Sequence, residues 1–183
     1  MPVSSFSSSP YPISVTDEDK YVQTLIQNAR YWMETLLMKS PKYIWGGSGL
    51  DGGDCSGQVY WIFHKSGIPF QRTTALKIWS GAWPGINYSN WDSTTFPDGI
   101  FFSWKKPADH IGLVDYKLDY PEQLSYVESS SGANKFKRTE MKKSSTYDKA
   151  FLGIRVFDLS VGYKKQGVEI KDDYIKKDIK SIK

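Results

Sequence analysis

The spacing of apolar residues changes once along this chain, and that change limits the fold more than any other feature. Thr16 opens a helical pattern, with Asp17, Glu18 and Asp19 in its first turn. Val22, Leu25, Ile26, Ala29, Met33, Leu36 and Leu37 then recur at helical spacing and define one buried face. Pro41 stops the pattern. A second helix is expected from Cys55 to about Ser66, ending at Gly67. Beyond residue 100 the pattern becomes strand-like. Residues 100–104, 110–116, 124–128 and 151–157 are short runs of β-branched and aromatic residues between turn signals. Helices followed by an antiparallel sheet define an α+β domain. Residues 78–98 carry Trp79, Trp83 and Trp91 among Gly, Pro, Asn and Ser, and read as a long loop with room for a short helix.

The 183 residues, 39% of them hydrophobic, suffice for one domain with a full core. Residues 1–15 read as an irregular Ser- and Pro-rich lead-in, 16–162 as the domain, and 163–183 as a basic tail. No apolar run approaches the roughly 20 residues needed to cross a bilayer. The N-terminal stretch lacks the basic start and apolar centre of a signal peptide. A chain made in the cytoplasm, or the mature part of something longer, is expected. The net charge of +4 falls short of a nucleic-acid signature, and the lysine-rich stretches read as solvated surface. One cysteine excludes a disulfide framework and a multi-cysteine zinc site. No metal or cofactor is expected, and a monomer is.

That cysteine, Cys55, follows a glycine-rich loop and Asp54, a natural N-cap. A thiol in the first turn of a helix meets backbone N–H groups and the positive end of the dipole, which favour a reactive thiolate. Such a nucleophile needs a base, usually histidine. The chain has two. His64 lies nine residues on, about 13 Å along the same helix and on its opposite face, so it reads as a surface histidine. His110 opens a strand and remains as the candidate base. Alone, it reads more readily as a structural histidine. Glu128, on the next strand, has two readings: a carboxylate that orients the imidazole, or a solvent-facing residue. Strand alternation puts Tyr126, Glu128 and Ser130 on one face and Val127 on the other.

The segment YIWGGSGLDGGDCSGQV resembles the nucleophile motif of the NlpC-type cell-wall cysteine peptidases, in which an aromatic-Gly-Gly segment precedes Asp-Cys-Ser-Gly at a helix start. GIPFQRTT (67–74) is similar to the segment that follows the nucleophile helix in that family. DGIFFSW (98–104) is similar to the first sheet strand, DHIGLV (109–114) to the strand carrying the base, and YVES (126–129) falls where a third polar residue is expected. The resemblance spans about residues 40–130. It implies a papain-like fold with the nucleophile helix packed on an antiparallel sheet. It further implies Cys55 as nucleophile, His110 as base and Glu128 as third member, with Tyr43, Asp54 and Ser56 at the substrate groove. In the family those three help hold the free amino end of a stem peptide. Asp54 would then serve as both cap and ammonium receptor. Arg72 maps to a family arginine read as structural. Two departures stand out. Glu at the third position is closer to the CHAP-domain amidases than to the usual His, Asn or Gln. Pro97-Asp98-Gly99 replaces the usual Pro-Gly-Asp turn.

The resemblance implies a cysteine peptidase or amidase that hydrolyses an amide bond in bacterial peptidoglycan stem peptides through an acyl-enzyme. A phage lysis or tail enzyme would reach the wall without a signal peptide. Two other classes are weighed beside it: an acyltransferase moving the acyl group to an amine, and a catalytically silent wall-binding module. The tryptophans of 78–98 either flank the groove and stack on sugars or pack against the core.

Overall fold

The computed structural model describes residues 16–117, 123–143 and 145–166. The lead-in 1–15 and the tail from 167 onward lie outside the described residues. The expected boundary at 162 falls within the last helix described below.

Helix α1 (Asp17–Lys39) starts where the acidic turn predicts. Thr16 accepts from the Asp19 amide while the Asp19 carboxylate accepts from the Thr16 amide, so each satisfies a donor the helix leaves open. Leu25, Ala29, Met33 and Leu36 are buried as expected, together with Trp32; Val22, Ile26 and Leu37 are partly buried. Helix α2 (Cys55–Lys65) is capped by Asp54. A short α3 (Ala75–Lys77) leads into a π-helical turn (Ile78–Ala82). The remaining helices are α4 (Thr146–Ala150) and α5 (Val161–Gln166).

Six strands form one antiparallel sheet: β1 (Gly85–Tyr88), β2 (Gly99–Phe102), β3 (His110–Lys117), β4 (Gln123–Ser130), β5 (Lys135–Lys142) and β6 (Phe151–Phe157), in the order β1-β6-β2-β3-β4-β5. Alternation along the strands separates two cores. Phe101, Ile111, Leu113 and Val127 face α1 and α2, where they meet Met33, Ile62 and Phe63. Ile100, Phe102, Val114, Tyr126 and Met141 face the other way, onto Trp91 and Tyr147. Fully burying each such side chain contributes roughly 1.5–3 kcal/mol, so both layers hold the sheet in place.

Two strands depart from the sequence reading. Residues 85–88 lie in the segment read as a loop, yet they form edge strand β1. Buried Arg155 on β6 explains this. Its guanidinium donates to the carbonyls of Trp79 and Trp83 and to Asn87 Oδ1, clamping the π-helical turn and β1 onto β6. Residues 135–142, of which 135–138 read as solvated charge and the rest as no element, form the opposite edge strand β5, with Phe136, Thr139 and Met141 buried among exposed Lys135, Glu140 and Lys142. The tryptophans pack inward: Trp83 and Trp91 are buried, and Trp79 lies 5.1 Å from Phe101 between ring centroids.

Candidate active site

The loop before α2 is built by glycines. Gly57, in the first turn of α2, sits so close to the Gly47 carbonyl that a Cβ there would collide with it. A Cβ on Gly53 would meet the same carbonyl at 2.8 Å. The Gln58 side chain closes the loop from inside, donating to the Gly49 carbonyl at 2.9 Å and accepting from its amide at 3.2 Å. Ser129 of β4 donates to the Gly53 carbonyl and ties the loop to the sheet. Cys55 is thereby held as the first residue of α2. Its N–H has no intrahelical acceptor and is available to an oxyanion.

Cys55, His110 and Glu128 come together. His110 Nε2 lies 2.6 Å from Glu128 Oε2. Cys55 faces the same ring, which leaves Nδ1 as the nitrogen for the thiol. Burial opposes the charged imidazole, but the interactions with Cys55 and then Glu128 outweigh it and raise His110 from 6.5 to about 9. Glu128 is 3% exposed, so the solvent-facing reading does not hold. Burial pushes its carboxyl up, but bonds from His110 and Thr139 and the charges of His110 and Lys137 leave it below the ordinary value. Thr139 Oγ1 donates to Glu128 Oε1 at 2.7 Å, and Lys137 Nζ lies 3.4 Å from the same oxygen. His64 is exposed on the far side of α2, stacked on Tyr60, as its spacing predicts.

A model of the NlpC/P60 family matches residues 40–156. The chain belongs to the NlpC/P60 family. Its fold is therefore the papain-like α+β arrangement, with the nucleophile helix on an antiparallel sheet. Among solved structures it is similar to an NLP/P60-family lipoprotein-like protein from Staphylococcus aureus subsp. aureus Mu50. The TM-score is 0.53 at 18% identity, covering 82% of this chain and 45% of that one. The chain thus spans less than half the length of that neighbour. It is also similar to Ly7917, solved with the hydrolysing product of MDP, at a TM-score of 0.43 and 12% identity, covering 72% of this chain and 62% of that one. No curated protein matches the sequence.

Within this NlpC/P60 chain, the residues assigned to the groove form one network beside the thiol. Asp54 Oδ1 accepts from the Gly57 amide at 2.6 Å and the Ser56 hydroxyl at 3.2 Å, and Oδ2 accepts from the Gly46 amide at 2.9 Å. Arg72 Nη2 reaches both Asp54 oxygens at 2.7 Å, and Nη1 reaches Ser56 Oγ at 2.8 Å. Tyr43 is near enough to Cys55 and Asp54 to feel both. Burial first, then those two charges, push its phenol up to about 12. Asp54 is thus cap, loop anchor and partner of Arg72 at once. Arg72 has the structural role expected of it, but its partners lie 16 and 18 residues away and nothing local in the sequence signals which they are. Lys137 was missed because residues 135–138 read as surface charge, and Thr139 because no strand was expected there. Among the described residues no cluster of His, Cys, Asp and Glu could hold a metal ion. None of the described helices is long and apolar enough to cross a membrane.

Proposed function

We propose that the protein is a cysteine peptidase or amidase that hydrolyses an amide bond in bacterial peptidoglycan stem peptides. The observation that carries this is the Cys55–His110–Glu128 line in an NlpC/P60 chain, with the thiol at a helix start and the imidazole bridging to a buried carboxylate. The Cys55 sulfur attacks the amide carbonyl, and the developing oxyanion takes the Cys55 N–H. His110, charged at neutral pH, gives its proton to the departing amine as the C–N bond breaks. The resulting thioester is then opened by water, whose proton passes to His110, and a carboxylate leaves. Glu128 holds the ring so that Nδ1 faces the thiol throughout.

Tyr43, Asp54 and Ser56 line the substrate side in this reading, with Arg72 fixing Asp54. The test is mass spectrometry of purified peptidoglycan after digestion by the protein and by Cys55→Ala. New peptide ends made by the parent alone support the reading and name the bond. A cut after D-glutamate favours an endopeptidase, and a cut between the lactyl group and the first alanine favours an amidase. Equal cleavage by Cys55→Ala, or no new ends from several wall types, overturns it.

A further inference from the structure

A carboxylate as third member creates a demand that a neutral residue would not. Glu128 carries a charge at 3% exposure, and its two oxygens have separate tasks. Oε2 meets His110 at 2.6 Å, while Oε1 takes the Thr139 hydroxyl at 2.7 Å and has Lys137 Nζ at 3.4 Å. Both partners come from β5, which pairs with β4 in a register that sets Lys137 opposite Glu128 and Thr139 opposite Tyr126. The two differ in kind. Thr139 is buried and its bond is short, whereas the Lys137 side chain keeps 26% of its exposure and its contact is long. A short hydroxyl bond from a fixed strand defines where Oε1 sits and therefore where Oε2 points. A half-solvated ammonium supplies charge without a fixed direction.

We propose that Thr139 is a positioning residue that locks the Glu128 carboxylate in the rotation that presents Oε2 to His110, with Lys137 balancing its charge. The proposal rests on the functional reading above for its catalytic meaning, though its structural content stands apart from it. Without the hydroxyl, Lys137 is left holding Oε1 alone and draws the carboxylate toward the solvent-facing end of its own side chain. The Oε2–Nε2 bond then lengthens and His110 loses support for its proton. The other groups facing this pair are Cys55 from α2, the Tyr126 phenol from β4 and the Phe102 ring from β2; none of them donates to Oε1.

The test is an NMR titration of the two histidine Cε1–H signals, with exposed His64 as internal reference. In Thr139→Val the His110 value is expected to fall from about 9 by roughly one pH unit, the size of one lost hydrogen bond to a charged group. Thr139→Ser, which keeps the hydroxyl, restores it. If the valine variant does not fold, Thr139→Ala is read the same way. An unchanged or raised His110 value, or a serine variant that behaves like valine, overturns the proposal. On substrate, kcat falls roughly tenfold with KM within about twofold. If the parent cleaves no peptidoglycan, the functional reading fails, while the titration still decides the role of Thr139.

Discussion

Burial opposes the His110 imidazolium, but its interactions with Cys55 and Glu128 outweigh burial and keep the ring charged across neutral pH. A group raised in the folded state stabilises it fully below its unfolded value, and that contribution drains as pH rises through the folded one. For His110 the window runs from 6.5 to about 9. Glu128 is lowered, so its contribution holds above 4.5 and is lost as pH falls. The pair therefore favours folding most between those limits, and thermal melts across pH should show the midpoint falling on either side. The rate has its own consequence. In the proposed mechanism the imidazolium is the acid that releases the amine, so kcat/KM should decline above about pH 9. Glu128→Gln removes the charge that supports it, so the alkaline limb should move to lower pH. An unmoved limb in that variant would mean that His110 does not titrate in the rate-controlling step.

At the scale of elements, two joints hold the site together. The first is the contact of the glycine loop with α2. Gly57→Ala forces the Gly47 carbonyl away and carries the loop off Asp54; a cost of about 1–3 kcal/mol and a large fall in activity are expected, measured by denaturant melts and turnover. The second joins α1 to the sheet. Asp115 on β3 is buried and takes Arg30 from α1 and Arg138 from β5, while Arg138 also meets Glu34 on α1 at 3.1 Å. Asp115→Asn leaves two guanidinium groups facing a neutral amide, so a loss of roughly 3 kcal/mol is expected in the same melts. The sequence made much of this legible. Helical spacing and the Thr16 and Asp54 caps located α1 and α2, and apolar runs located β2, β3, β4 and β6. Cys55 and His110 could be found because cysteine and histidine are scarce here. β1 was hidden because its strand state comes from Arg155, some 70 residues later, and three of its four residues are exposed. β5 was hidden because lysines alternate with its buried side chains. That oversight concealed Thr139 and Lys137, so the surroundings of Glu128 were the least legible part of the site.

At the scale of the whole molecule, the thiol comes from the helical layer and the imidazole and carboxylate from the sheet, so the site exists only where the two layers meet. The bond from Ser129 to the Gly53 carbonyl crosses that junction, one residue after Glu128 and two before Cys55. Ser129→Ala should therefore reduce kcat more than it lowers the melting temperature, as paired kinetics and melts would show. The chain also carries a net charge of +4. If the proposed wall hydrolysis holds, it should slow on intact anionic walls between about 50 and 500 mM salt, while cleavage of small soluble fragments changes little, because screening weakens attraction to a polyanion first.

The two ends of the sheet are finished differently. The β5 edge bristles with Lys135, Lys137 and Lys142, which discourage another strand from pairing there. Among the described residues the β1 edge has no such guard: Ile86 is 63% exposed, beside Tyr88 and Val156. Concentrated stocks of the protein would accordingly self-associate through β1 and cloud on storage. Ile86→Lys, placed on the strand farthest from the triad in the sheet order, should keep such stocks clear to light scattering without a loss of turnover.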